Sequence, residues 1–242
     1  MTPRAERHLR VLQRFVDSQD PLDSGRLCGM AAEAVGVSGA GVMLMSGDVS
    51  AGRACSSDHV ASAIEDLQFS LGEGPCLDAY FQERPVLEPD LAAPAVLRWP
   101  AFTPGAMEAG AGAVFGFPIQ VGAARLGALN LYCVEAGALT GDQHADALVT
   151  ADVVARTLIA MQANAPRGGL AAEIEAGGDL QLVVHQASGM VAAQLEVNVA
   201  EALIRLRAFA FGNDRPLLEV AREVVARLLR FDAVTGDQER ET

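Results

Sequence analysis

At 242 residues, half of them hydrophobic and a fifth charged, the chain is longer than one small domain needs and too apolar to be disordered. Its net charge of −13, with all 18 basic residues arginine, argues against a general nucleic-acid binder, whose affinity rests on cationic surface. There is no run of about 18 apolar residues for a membrane span and no signal-type leader after Met1. The four cysteines, Cys28, Cys55, Cys76 and Cys133, show neither metal-ligand spacing nor a disulfide framework, so reduced thiols in a cytoplasmic protein are expected.

In chain order, residues 4–18 predict an amphipathic helix, with Leu9, Leu12, Phe15 and Val16 on one side and Arg7, Arg10 and Arg14 on the other. A second helix is predicted over 22–35, ending at Gly36. The period then changes. Residues 41–45 read as a buried strand, and a hairpin turn at 46–48 leads into a strand over 49–56. Asp58 is placed to cap a helix running to Leu67. Residues 71–76, Leu-Gly-Glu-Gly-Pro-Cys, read as a turn rather than an element. A short extended piece follows at 85–88, and a helix within 99–110. Residues 113–121 and 125–132, joined through 122–124, predict a hairpin. A helix begins at Thr140 or Asp142 and runs to about Ala163. The order predicts an α+β domain with an antiparallel sheet over 1–163.

Residues 164–178 lose periodicity and carry Pro166, Gly168, Gly169, Gly177 and Gly178, so they are read as a linker, with short helical content around 170–176. The remainder is helical. The first helix, about 180–195, is expected to bury Leu180, Val183, Val184, Ala187, Met190 and Val191. The second opens with Asn198 and Glu201, a capping-box arrangement, and buries Val199, Ala202, Leu203, Leu206, Phe209 and Ala210. The third begins at Pro216 and buries Leu217, Val220, Ala221, Val224, Val225 and Leu228. Pairs Glu201–Arg205 and Glu223–Arg227 are expected across single helical turns. The domain is thus 179–231, and 232–242 is a polar tail. Charge is uneven: 1–163 is −9, 180–230 is +1 and 231–242 is −3.

Three stretches of the first 163 residues, LQFSLGEGPCLDAYFQERPVLEPDL from Leu67, RWPAF from Arg98 and AVFGFPIQVGAARLGALNLY from Ala113, resemble a GAF domain of the type found in actinobacterial regulators. The resemblance implies a central antiparallel sheet with flanking helices and a pocket that takes a small molecule, senses redox state, or serves only dimerisation. The stretch HQASGMVAAQLEVNVAEALIRLRAFAFGNDRPLLEVAREVV from His185 resembles an ANTAR domain, which implies an all-α three-helix bundle that binds RNA hairpins in nascent transcripts, usually as a dimer. One position departs from that family: Ser188 stands where a basic residue is common.

The candidate RNA contacts are His185, Gln186 and Ser188, read as the exposed side of the first helix, and Arg205, Arg207, Arg215 and Arg222, whose guanidinium groups can clamp phosphate oxygens. Among the arginines, Arg215 is the stronger candidate and Arg207 is read as packed by its stem. Gly189, in mid-helix, is assigned to close helix packing first and to RNA approach second. Glu73, Cys76, Asp78, Arg98 and Trp99 are the candidates for a ligand pocket; the alternative for Glu73, Asp78, Arg98 and Trp99 is a turn-stabilising role, and Cys76 reads either as a redox-sensing thiol or as a small buried residue. His8, His59 and His144 have no partners at metal-ligand spacing, and no nucleophile elbow, phosphate loop or zinc-protease motif appears. The expectation is a homodimeric RNA-binding antiterminator without catalytic residues, metal or cofactor. The alternatives are a dimerisation scaffold with a degenerate ANTAR module, and a GAF-fold redox enzyme.

Overall fold

The computed structural model describes residues 3–16, 24–93, 98–164 and 179–232. The predicted linker, its short helix and the polar tail from residue 233 on lie outside them. The chain divides into two units, Met1–Gly177 and Gly178–Thr242.

The first unit is built on a five-stranded, wholly antiparallel sheet of order β2-β1-β5-β4-β3. Its elements are α1 (Pro3–Val16), α2 (Ser24–Val35), β1 (Gly39–Ser46), β2 (Val49–Ser56), α3 (His59–Leu71), α4 (Pro75–Gln82), β3 (Val86–Glu88), α5 (Phe102–Glu108), β4 (Ala113–Val121), β5 (Ala124–Cys133) and α6 (Gly141–Asn164). Strand alternation sorts the side chains into two layers. Val42, Phe115, Phe117, Ile119, Leu129 and Leu131 point to one face, where they pack with Val11, Phe15, Leu27 and Val154 of α1, α2 and α6. Val114 and Tyr132 point to the other, beneath Ile64 of α3, Ala79 of α4 and Phe102 of α5. The arginines of α1 hold it to α6: Arg7 reaches Asp142 at 2.8 Å, and Arg10 reaches Asp146 at 2.6 Å.

The predicted hairpins are present, with Gly47 and Gly122 supplying the positive φ that each tight turn needs. Asp58 caps α3 as expected, its carboxylate accepting the Ala61 N–H at 2.8 Å. One expectation fails. The Leu-Gly-Glu-Gly-Pro-Cys segment is not all turn: Gly72 closes α3 in the left-handed region, and Pro75 then starts α4. Proline at the first helical position loses no hydrogen bond there, so the residue that punctuates the sequence here opens a helix instead of preventing one.

A second expectation is overturned by topology. Cys28 of α2 and Cys55 of β2 are joined as a disulfide, with Cα atoms 5.9 Å apart. Their separation of 27 residues gave no sign of this, because the fold, not the spacing, brings α2 across the edge strand. Cys76 and Cys133 are free thiols.

The second unit consists of α7 (Asp179–Leu195), α8 (Val199–Gly212) and α9 (Leu217–Val225). Asn198 caps α8, its side chain accepting the Glu201 N–H at 2.9 Å. Asn198→Ala is expected to lower the stability of this unit by about 1 kcal/mol, read as a shifted midpoint in thermal unfolding followed by circular dichroism. Ala202, Leu203, Leu206 and Ala210 of α8 and Leu217, Val220, Ala221 and Val224 of α9 are buried as expected. Val199 and Leu228 are not: Val199 is exposed at the first turn of α8, and α9 stops at Val225, leaving Leu228 81% exposed. The buried face of α7 is rotated from the expected one. It comprises Gln181, Val184, Ala187, Ser188, Val191 and Ala192, while Leu182 faces solvent.

Candidate functional site

In the first unit the least satisfied polar groups lie between the sheet and the α3–α4 layer. Asn130 of β5 is fully buried on that face, and its neighbours across the sheet are glycines on both sides, Gly41 of β1 and Gly116 of β4. Missing side chains there let the helices settle onto the strands. Glu65 of α3 lies over Gly41, where an added Cβ would come within 2.7 Å of its Oε1. The Pro75 carbonyl of α4 lies against Gly116.

Glu65, Gln68, Cys76 and Asn130 are all buried in this layer. Gln68 Oε1 accepts the Cys76 N–H at 2.8 Å. Among the described residues, neither carboxylate oxygen of Glu65, nor either side-chain polar atom of Asn130, nor Nε2 of Gln68 makes a hydrogen bond of good geometry. Burial pushes the Glu65 carboxyl up to about 8, with Arg53 pulling it down, Asp66 adding to the rise, and the adjacent Asn130 side chain, close but poorly aligned for a hydrogen bond, drawing it slightly back. Burial, and then the nearby Glu65, raise the Cys76 thiol well above its ordinary range. A thiol held protonated is a poor nucleophile. Next to this layer Asp58 is held below its ordinary value. Burial opposes that shift, but the Ser57 hydroxyl, the Ala61 N–H and the Tyr132 hydroxyl together outweigh it.

Four of the five predicted pocket residues come together in contacts that match the turn-stabilising alternative. Glu73 Oε1 accepts the N–H groups of Ala101 and Phe102 at 2.7 and 2.8 Å, capping the start of α5. Asp78 accepts the Trp99 indole N–H at 3.2 Å and pairs with Arg98 at 2.8 Å, and the Arg98 guanidinium stacks over the Trp99 ring. Cys76 belongs to the buried layer described above. None of the five lines the open cavity of about 400 Å³ that lies by Gly36, Ser38, Cys133, Leu139 and Gln143. Glu65, Gln68 and Asn130 went unremarked in the sequence. Their signal was polarity at core positions: Glu65 and Gln68 share the helical face of Ala61 and Ile64, and Asn130 sits between Leu129 and Leu131 in a buried strand.

The predicted RNA contacts divide. Gln186 and Arg222 are exposed, and His185 is half-buried. Ser188 is not on the exposed side: it is 0% exposed, and its hydroxyl donates to the Val184 carbonyl at 2.7 Å. Serine satisfied by its own helix tolerates a buried position, which the polar reading of the residue overlooked. Arg205 pairs with Glu201 at 2.7 Å, as expected. Arg215 forms a two-pronged pair with Glu223, at 3.0 and 2.7 Å, so Glu223 holds Arg215 rather than Arg227. Arg227 lies beyond the end of α9 with φ of +64°, where an i,i+4 pair cannot form. Arg207 is half-buried, and burial pushes its guanidinium down to about 10. Gly189 is exposed with nothing among the described residues near the place of an added Cβ, so packing between the helices of this unit does not account for it. Among the described residues no cluster of three or more metal-ligating side chains occurs, and no helix is long and apolar enough to cross a membrane.

No protein-family model matches the chain, and no curated protein sequence matches it. Among solved structures, the chain is similar to the GAF domain of a phosphoenolpyruvate-protein phosphotransferase from Coxiella burnetii, at 15% identity and a TM-score of 0.48 over 67% of this chain and 98% of that one. It is similar also to the GAF domain of an Acinetobacter phosphoenolpyruvate-protein phosphotransferase, at 12% identity and a TM-score of 0.49 over 67% and 97%. A type II free methionine-R-sulfoxide reductase from Thermoplasma acidophilum is similar at 13% identity and a TM-score of 0.37 over 63% and 92%.

Proposed function

We propose that the chain is a signal-responsive, cytoplasmic RNA-binding regulator, in which a GAF-type first unit controls an ANTAR-type helical unit that holds paired hairpins in nascent RNA as a dimer. The observation that carries this reading is Gly189. Glycine in mid-helix costs roughly 1 kcal/mol relative to alanine, and here it stands exposed with open space around it, so no contact within the unit offsets the cost. A bare helix surface beside exposed Gln186 gives a nucleic-acid backbone room to approach. The sensory half is supported by the buried Glu65, Gln68 and Asn130, whose hydrogen-bonding capacity exceeds what the protein meets. The reading is of a binding protein and not an enzyme, since the one buried thiol in that layer is pushed up rather than activated.

The test is an equilibrium titration of the full chain against RNA carrying two adjacent short-loop hairpins, with a single-hairpin RNA as control. Binding is expected to need both hairpins, through bivalency, and to weaken as salt rises. Gly189→Ala is expected to stabilise the helical unit by about 1 kcal/mol, whereas Gly189→Leu and Arg222→Ala weaken RNA binding tenfold or more without unfolding it. Arg215→Ala is expected to act through the fold, since it removes the partner of Glu223. Binding unaffected by Gly189→Leu and by salt would overturn the proposed interface. A second reading, a scaffold whose helical unit no longer binds RNA, is favoured by Ser188 being buried and by the pairing of Arg205 and Arg215 with acids. No binding at low salt by a folded protein would select it.

A further inference from the structure

We propose that Cys28 and Cys55 form a reversible redox couple that governs how firmly the edge strand β2 is held to the rest of the first unit. The disulfide joins α2 to a strand with one hydrogen-bonded neighbour, β1. That pairing is broken twice. The register runs from Val42↔Cys55 to Met43↔Arg53, and from Leu44↔Gly52 to Met45↔Ser50, so Ala54 and Ala51 are bulged out. The bulge at Ala54 has a consequence for direction. Cys55 shares the face of Val42 and turns toward α2, whereas Arg53 shares the face of Met43 and turns toward α3, where it pairs with Asp66 at 2.9 Å. The strand is therefore gripped from both sides, covalently through Cys28 and electrostatically through Arg53. With its backbone pairing weakened by two bulges, the covalent grip is the stronger of the two.

Breaking that grip leaves β2 held by an interrupted ladder, by packing, and by Arg53, which pairs with Asp66 and donates to the Ser62 carbonyl and hydroxyl on α3. Arg53 and Asp66 both act on the charge state of Glu65, so the edge strand is linked to the buried polar layer. This step rests on the cytoplasmic location proposed above, since a disulfide kept in a reducing compartment is more often regulatory than a permanent staple. The chemistry needs only a dithiol reductant. One of its thiolates attacks a sulfur of the pair, Cys55 being the less buried, and Cys28 leaves as thiolate. The reductant's second thiol then closes its own disulfide and releases Cys55. Two electrons pass to the protein, and the reductant's two protons end on the two cysteines.

The full chain, poised in mixtures of oxidised and reduced dithiothreitol, would be quenched with an alkylating reagent and weighed, and hydrogen exchange followed on the same samples. Reversible titration of the 28–55 pair is expected while the protein stays folded. Amide exchange over 49–56 should rise at least tenfold on reduction, with α9 unchanged. A Cys28→Ala/Cys55→Ala variant should show the fast exchange whether or not reductant is present. The proposal is overturned if the pair is already reduced in the isolated protein without reductant, if it yields only when the unit unfolds, or if exchange over 49–56 does not respond to its reduction. The couple lies wholly within the first unit, so its failure and a failure of RNA binding are measured separately.

Discussion

Between pH 4.5 and about 8 the first unit is expected to lose stability steadily, by on the order of 4–5 kcal/mol in all, because of Glu65. Below its ordinary value of 4.5, Glu65 is protonated in both the folded and the unfolded chain and costs nothing. As pH rises the unfolded chain releases this proton first, while burial keeps it on the folded one until about 8. The unfolded state then binds fewer protons, so stability falls with pH and levels off once the folded carboxyl also ionises. Asp66, raised by burial against the pull of Arg53, adds in the same direction. Asp58, held down, acts only below its ordinary value of 3.8 and in the opposite sense. Trp99 is the sole tryptophan, so its fluorescence during urea unfolding at pH 5, 6, 7 and 8 reports the first unit alone. In Glu65→Gln the slope over this range should largely vanish. Parallel profiles for the two proteins would show that the carboxyl is ionised in the fold and compensated there.

Gly116→Ala is expected to destabilise the same unit by about 3 kcal/mol, at the upper end of what one extra methyl group costs in a packed layer. The obstruction is backbone: the new Cβ would run into the Pro75 carbonyl, with Ala79 Cβ 3.1 Å away. A side chain can rotate aside, but the start of α4 must move off the sheet as a body. That shift would also disturb the Cys76 N–H bond to Gln68 and the bond from the Trp99 indole N–H to the Asp78 carboxylate. Gly137→Ala is the control, since nothing lies within 4 Å of its added Cβ. Equal urea midpoints for the two variants would show that α4 is not seated on Gly116.

The elements with strong periodicity were legible. Both hairpins of the sheet, the α3 cap at Asp58, the α8 cap at Asn198 and the long α6 follow from alternation, turn glycines and capping side chains. What stayed hidden depends on contacts between distant segments. The Cys28–Cys55 bond requires α2 and β2 to meet, and the Arg215–Glu223 pair requires the turn into α9 to bend back on it. Helix α7 misled for another reason. Leu180, Val183 and Met190 outbid Gln181 and Ser188 as core residues by hydrophobicity, yet Ser188 enters the core by bonding to Val184. Glu65 and Asn130 were missed because apolar neighbours on the same stripe mask a polar residue in a core position.

The two bulges in β2 also bear on how the protein behaves at high concentration. A sheet of this kind has two open edges, each a template for adding a strand from another molecule. Here one edge is β3, only three residues long, and the other is β2, whose ladder is interrupted at Ala51 and Ala54. Neither presents a long, flat row of unpaired backbone groups. Strand-to-strand aggregation is therefore disfavoured at both ends of the sheet.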